Sequence, residues 1–505
     1  MDAMSEKILT DGRGILKRKN DIMSLCVCLM VFIFFSIFFF KIHPIVIFDT
    51  DDWKFFNYHR KPIPIWNARN PAKVLSETLM PIIGEFSAYI IYPVCGDFFK
   101  SMSLAMALTV SSFVTGFYYN LHKMLQKLCA GKMSATTISM FILISHFLVM
   151  RVNNDGNKYM LYTVDATCYF HYIIPDLVNC ILVLWLMRED ILKDLLKKNG
   201  VPIYKKAILC VLLYFGLFSN LFSSIILAAY VGALLLCDLI NDLRIKNFRL
   251  KKYVSANKEK LCVIMVWGIA QIFEAGGNRA SDFSSFSLES IKYVFKTLKQ
   301  WPHQVNTLFC SISIFTILLG SILMILKKNE HGVLKNIKII LVAFGVCFLY
   351  LSLLCAKLQG YMLRPDATYG IFFFIVVLLG IYLVYLGREL PWIRIALPLM
   401  LIIMFMETDT SGKTFLESTK RLIDPEICIA IDNDIMNQLI EAEKCGKTEI
   451  MLYVPEFDTD DNWPIATYAN NYFPEALYKY GILSEKIKIT EIIPTQEKNI
   501  EFNIK

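Results

Sequence analysis

The run "AILCVLLYFGLFSNLFSSIILAAYVGALLLCDLI", Ala207–Ile240, decides how the chain is read. As one helix at about 1.5 Å per residue it would reach about 50 Å, against a bilayer core of about 30 Å. Both flanks are basic, "LKKNGVPIYKK" before it and "LRIKNFRLKKYVSANKEK" after it. Basic flanks stay on the cytoplasmic side of a membrane, so both ends of the run belong to one side. The run is therefore a hairpin of two spans, turning at "FSNLFSS" around Ser219–Asn220.

The rest of the chain fits the same solvent. Of 505 residues, 55% are hydrophobic and 19% charged, where about a quarter charged is usual for soluble domains. Arg13, Lys17, Arg18 and Lys19 precede the first apolar segment without a small-residue cleavage site after it. Residues 1–21 thus read as a cytoplasmic N-terminus and Ile22–Ile42 as an uncleaved span leading outward. Asp49–Lys100 is an outer loop whose apolar piece, Leu79–Val94, lies along the membrane or dips into it. Further spans fall near Met102–Tyr119, Ala135–Met150, Tyr172–Met187, Leu261–Ala275, Leu308–Leu326, Ile337–Leu354, Ile371–Leu386 and Ile395–Met406. The prediction is an all-α polytopic membrane protein whose membrane domain, residues 22–406, has about eleven spans.

An odd number puts the tail, 407–505, outside. The tail holds 10 Lys and Arg against 19 Asp and Glu, a net of −9 in a chain of +8. That asymmetry is an orientation signal and gives no reason to expect nucleic acid as a partner. The tail predicts a small α/β module. "DNDIMNQLIEAEKCG" has helical spacing, with Asp432 as N-cap and Gly446 as stop, and "TEIMLYVPEF" and "IKITEIIP" read as strands. Most cysteines lie in apolar runs; Cys428 and Cys445 are the pair to consider for a bridge. No Walker loop, GxSxG or HExxH is present. His146, inside an apolar run, reads as packed.

Three polar clusters fall on the outer side. "DTDDW" packs Asp49, Asp51 and Asp52 against Trp53 directly after the first span. Carboxylates at a membrane lip suit a general base or a divalent metal. "FEAGGNRASDFSSF" carries Glu274 at the end of a span, Asn278, and Arg279, whose fork suits a phosphate; Gly276 and Gly277 permit close backbone approach. "LQGYMLRPDATYG" adds Arg364 and Asp366. A cationic rim beside a carboxylate suits a lipid-linked phosphate donor and a hydroxyl acceptor.

With "DDW", "GGNRAS", "RPDATYG" and the tail's "DNWPIATYANNYFPEALYKYGIL" (461–483) in this order, the chain resembles the serotype-converting O-antigen glucosyltransferases of enteric bacteria and their phages. More broadly it looks like a GT-C class membrane glycosyltransferase. The resemblance implies an enzyme of the bacterial inner membrane. It would take glucose from a polyprenyl-phosphate donor on the periplasmic face and attach it to a sugar hydroxyl of lipid-linked O-antigen. Asp51 or Asp52 would be the base or orient the acceptor, and Arg279 and Arg364 would hold the donor phosphate. Asp49, Trp53, Glu274, Asn278, Asp366 and Trp463 would line the substrates. Members of this class differ in metal dependence, so a divalent ion at Asp51-Asp52 stays open. The rival readings are an O-antigen polymerase and a transporter or flippase of polyprenyl-linked saccharides.

Overall fold

The computed structural model describes residues 22–47, 50–128, 134–150, 160, 161, 163, 166–195, 201–245, 248–279, 287–327, 331–358, 360–408, 424–456 and 471–504. Asp49 and Trp463 lie outside them. Among the described residues, eight helices are long and apolar enough to cross a membrane. They are α1 (Ile22–Ile42), α3 (Val74–Cys95), α4 (Phe98–Leu128), α6 (Ala166–Arg188), α8 (Leu221–Arg244), α11 (Thr307–Lys327), α12 (Gly332–Lys357) and α13 (Tyr369–Glu389). Four shorter helices, α5 (Ser134–Leu148), α7 (Ile203–Leu217), α9 (Lys258–Ala275) and α14 (Ile393–Thr408), fill the other expected positions. The chain is a helical, multi-pass membrane protein by the length and composition of these elements.

Burial orders the bundle. The windows of α6 and α13 are 94% buried, whereas those of α1 and α11 are only 28% and 33% buried. The first pair is therefore central, and the second turns apolar side chains such as Ile314, Phe315 and Leu318 outward, as lipid-facing helices do. α4 and α8 pack on α6, and α12 packs on both α8 and α13.

The hairpin read from Ala207–Ile240 is built by its turn. α7 ends at Leu217 and α8 starts at Leu221. Asn220 caps α8, its Oδ1 accepting from the Phe222 N–H at 2.9 Å. Its Nδ2 donates to the His171 carbonyl at 2.7 Å. That carbonyl needs the help, because the residue four positions on is Pro175, which has no N–H. Here α6 opens with a π turn, Tyr169–Ile173, that carries Tyr172.

α3 is long enough to cross, but its neighbours hold it at one end of the bundle. Lys73 precedes it beside Arg279, Gly84 in its middle lies under Tyr480, and Phe98 just after it packs on Tyr480 at 6.1 Å. Its Ile82, Phe86, Ile90 and Val94 are exposed, the apolar face of a helix lying along a surface.

The tail forms a β–α–β unit. β1 (Glu449–Pro455) pairs in parallel with β2 (Lys488–Thr495) from Glu449↔Lys488 to Pro455↔Thr495, and α16 (Tyr472–Lys479) lies between them in the chain. The tail's first helix, α15 (Pro425–Lys444), starts well before the expected point. Asp424 is its N-cap, accepting from Glu426 N–H at 2.8 Å, with Pro425 in the first turn. Asp432 is thus mid-helix and buried, not a cap. Gly446, at φ +68°, is the stop. Cys428 is buried and Cys445 exposed, and both are free thiols.

Candidate functional site

The site begins with α2 (Thr50–Asn57), the short helix that carries Asp51, Asp52 and Trp53. The tail module grips it. Trp53 is buried against Phe473 at 4.1 Å between ring centroids and Phe99 at 5.9 Å. Tyr480 donates its hydroxyl to the Phe56 carbonyl at 2.8 Å, and Lys479 Nζ reaches the Asn57 carbonyl at 2.6 Å. Trp53 is accordingly a packing residue in this arrangement.

The two acids of α2 sit in different surroundings. Asp52 is fully buried and caps the start of α6: Oδ1 accepts from Thr167 N–H and Thr167 Oγ1, both at 2.6 Å, and Oδ2 from Ala166 N–H at 3.4 Å. Asp51 is 57% exposed, with Lys54 Nζ at 3.4 Å. The pair therefore does not present one chelating face to an ion, and among the described residues no three His, Cys, Asp or Glu side chains converge on a metal position. Asp432 of α15 lies within electrostatic reach of Asp52; burial, then the Asp52 charge, raises its carboxyl well above the usual carboxylate range.

The loop from Tyr58 to Lys73 is tied by a buried arginine. Arg60 Nη1 donates to the Asn70 carbonyl at 2.7 Å and to Glu77 Oε2 at 2.8 Å, and Nη2 donates to the Pro71 carbonyl at 2.9 Å. Asn70 Nδ2 donates to the other Glu77 oxygen at 2.7 Å. Every oxygen and most nitrogens of this ion pair thus have a partner, the condition under which burying it is tolerable.

The end of α9 is the seat on which this loop rests. Glu274 Oε1 accepts from Ala72 N–H at 2.6 Å, and Asn278 N–H donates to the Ala68 carbonyl at 3.1 Å. A Cβ at Gly277 would lie 2.6 Å from Pro71 Cδ, and one at Gly276 would lie 2.7 Å from the Trp66 ring. Both glycines are required by close approach. Arg279 emerges beyond them, its Nη1 3.4 Å from Asn70 Oδ1 and its Nη2 3.3 Å from Tyr361 Oη.

Arg364 and Asp366 complete the cluster from the loop before α13. Arg364 donates to both Asp366 oxygens, Nε at 3.1 Å from Oδ1. Its guanidinium lies 4.7 Å from the Tyr172 ring and 5.0 Å from the Tyr361 ring. Tyr361 stacks on Phe222 at 5.1 Å. A narrow crevice with free space of ≈ 20 Å³, room for about one water, runs between Asn70, Lys73, Tyr172, Asn220, Glu274 and Arg279. Lys73, in this crevice, has its pKa lowered to about 8 by burial first and then by the Arg279 charge.

Of the residues singled out in the sequence, Glu274, Asn278, Arg279, Arg364 and Asp366 come together around this crevice, and Asp51 lies within electrostatic reach of it through Lys73. Asp52 and Trp53 serve the docking of α2. Sequence reasoning missed Arg60, Asn70, Lys73, Glu77, Tyr172 and Tyr361. Only Glu77 carried a signal, a carboxylate in an otherwise apolar stretch, "VLSETLMPII".

Comparison with protein-family models, with curated proteins and with solved structures returned no match. Fold and site define a multi-pass helical membrane protein with a cation-rich, aromatic-walled crevice and an exposed carboxylate, Asp51, within electrostatic reach of its Lys73.

Proposed function

We propose that this chain is a membrane-embedded glycosyltransferase. It transfers a glucosyl residue from a polyprenyl-phosphate donor to a sugar hydroxyl of lipid-linked O-antigen on the periplasmic face of the inner membrane. The observation that carries this reading is a half-buried cation cluster at one end of the bundle, with the exposed carboxylate of Asp51 within electrostatic reach of its Lys73. Arg279 brings charge to the donor phosphate, and Arg364, paired with Asp366, stands behind it against the Tyr172 and Tyr361 rings. Asp51 takes the proton of the acceptor hydroxyl as its oxygen attacks the anomeric carbon. The bond from that carbon to the phosphate oxygen breaks, and the phosphate leaves with one more negative charge. Cations fixed beside it stabilise that developing charge more than the ground state, which is what lowers a barrier. Between the two acids Asp51 is the better base, because the Asp52 oxygens already accept three hydrogen bonds. Asp52 instead fixes α2, and through it Asp51.

The test is expression in an enteric host that makes O-antigen and supplies prenyl-phosphate glucose, followed by mass measurement of the O-antigen repeat. A gain of one hexose per repeat that disappears in Asp51→Asn and Arg279→Ala supports the proposal. An unchanged repeat with altered chain length would replace it with polymerisation, and substrate movement without a new glycosidic bond would replace it with transport.

A further inference from the structure

We infer that Lys73 is the second cation of the phosphate seat, and that with Arg279 it forms a site for one phosphate group, not two. This rests on the transferase reading for its physiological ligand but on the crevice alone for its chemistry.

The charges of the cluster sort into matched and unmatched groups. Arg60 is paired with Glu77, and Arg364 with Asp366. Lys73 has no such partner. Its Nζ makes no hydrogen bond and no ion pair with any described residue; it lies 5.7 Å from the Tyr172 ring, at the crevice wall. The residue is buried, 8% exposed. Among the described residues Arg279 has weak contacts to Asn70 and Tyr361, at 3.4 Å and 3.3 Å, and a hydrogen bond to the Tyr172 hydroxyl, but no ion pair. Among the described residues Glu274 is the carboxylate left to face both, and it already accepts from Ala72. A buried ammonium beside a half-buried guanidinium is a costly arrangement that an anion between them would relieve.

The excess is one unit: Lys73 and Arg279 against Glu274. That equals the charge of a single phosphodiester and falls short of a pyrophosphate diester. Asp51 of α2 is exposed, so solvent screens it. Arg364, already bound twice to Asp366, holds the Tyr172 and Tyr361 rings that wall the crevice.

A consequence in pH follows. The charged and titratable groups that face Lys73 are Asp51 from α2, Glu77 from α3, His171 and Tyr172 from α6, and Glu274 and Arg279 at the end of α9. Burial and Arg279 set the free lysine near 8. A bound anion favours the ammonium, so binding takes up a proton and weakens as pH rises through that value. From pH 7 to pH 9 one proton at this pKa corresponds to about a tenfold loss of affinity.

The experiment is calorimetric titration of the full-length chain in detergent with the monophosphate diester farnesyl phosphoryl glucose, and separately with the pyrophosphate diester farnesyl diphosphoryl glucose. Expected are a tenfold weakening for the monophosphate between pH 7 and 9, and no tighter binding of the diphosphate. Lys73→Met should bind tenfold or more weakly at pH 7 with a flat profile. Lys73→Arg should bind as the parent does at pH 7 and also have a flat profile. Parent-like affinity and slope in Lys73→Met would overturn the inference, as would a flat profile in the parent, which needs no variant to fold. Diphosphate binding tenfold tighter would overturn the one-phosphate count. Titration does not depend on transfer, so the two readings fail separately. A seat that needs Lys73 in a protein that adds no hexose sinks only the transferase. Hexose addition with unchanged phosphate affinity in Lys73→Met sinks only the seat.

Discussion

Gly277→Ala is the sharpest single test of how the site is assembled. The added methyl carbon would lie 2.6 Å and 2.7 Å from two ring carbons of Pro71 and 3.2 Å from the Ala68 carbonyl oxygen. Carbon atoms prefer about 3.5–4.0 Å, so the loop would have to retreat by about 1 Å. A proline ring and a backbone carbonyl cannot swing aside as a long side chain could. The retreat would strain two hydrogen bonds, Asn278 N–H to Ala68 and Ala72 N–H to Glu274. Overpacking of this kind costs about 1–3 kcal/mol. The same shift carries Asn70 and Lys73 away from Arg279, and misplacement by about 1 Å can cost about a hundredfold in rate. The control is Gly268→Ala in α9, the helix that leads to Gly277, where nothing lies within 4 Å of the added carbon. That change is expected to be neutral or to stabilise by up to about 1 kcal/mol, the helix propensity difference. Thermal unfolding in detergent and hexose transfer would be measured for both. If Gly277→Ala matched Gly268→Ala in stability and in rate, the claim that this glycine seats the loop would be wrong.

Asp51→Asn should cut transfer by about a hundredfold or more, the usual worth of a general base, with unfolding unchanged. Asp52→Ala should instead lower stability by about 1.5–3 kcal/mol, because it removes charged hydrogen bonds at the start of α6; thermal unfolding separates the two. Arg60→Met strands Glu77 and should cost about 3–5 kcal/mol, part of which Arg60→Met/Glu77→Leu recovers in a double-mutant cycle. Asp432 has a raised folded-state pKa, so the folded state holds its proton at pH values where the unfolded chain has released it. Stability from this group therefore falls as pH rises above the unfolded carboxylate value. Asp432→Asn should be more stable than the parent at pH 8, with the advantage shrinking toward pH 4. An advantage independent of pH would refute that assignment.

What the sequence reveals here is what depends on near neighbours. The turn at Ser219–Asn220 is legible because length, basic flanks and a capping residue all lie within one stretch. The tail strands and the Gly446 stop are legible for the same reason. Gly276 and Gly277 signal close approach, though not that Trp66 and Pro71 are what approaches. The site itself depends on distant partners. Asp52 and Thr167 are 115 positions apart, Arg279 and Asn70 are 209 apart, and Lys479 and Asn57 are 422 apart. No periodicity carries that information. Asp432 resembles a cap because it is an acid before an apolar stretch, but Asp424-Pro425 offers a cap and a first-turn proline together and takes the helix start.

The choice between the two acids of α2 follows from helix geometry. Successive residues in an α-helix are about 100° apart, so a short helix docked on one side buries one stripe only. In α2 that stripe is Asp52, Trp53, Phe55 and Phe56, all buried. Asp51 and Lys54, three residues apart, share the opposite edge and face each other at 3.4 Å. Two docking surfaces select the stripe: the aromatic Phe99 and Phe473 draw in Trp53, and the start of α6 draws in Asp52. With Asp52 fixed inside, Asp51 is necessarily turned out to solvent beside Lys54. Inserting one alanine between Asp51 and Asp52 should therefore abolish transfer by turning Asp51 about 100° relative to the buried stripe. Trp53, Phe55 and Phe56 would keep their seats, so the protein should still fold. Unimpaired transfer in a folded insertion variant would show that Asp51 is not the group its position makes it.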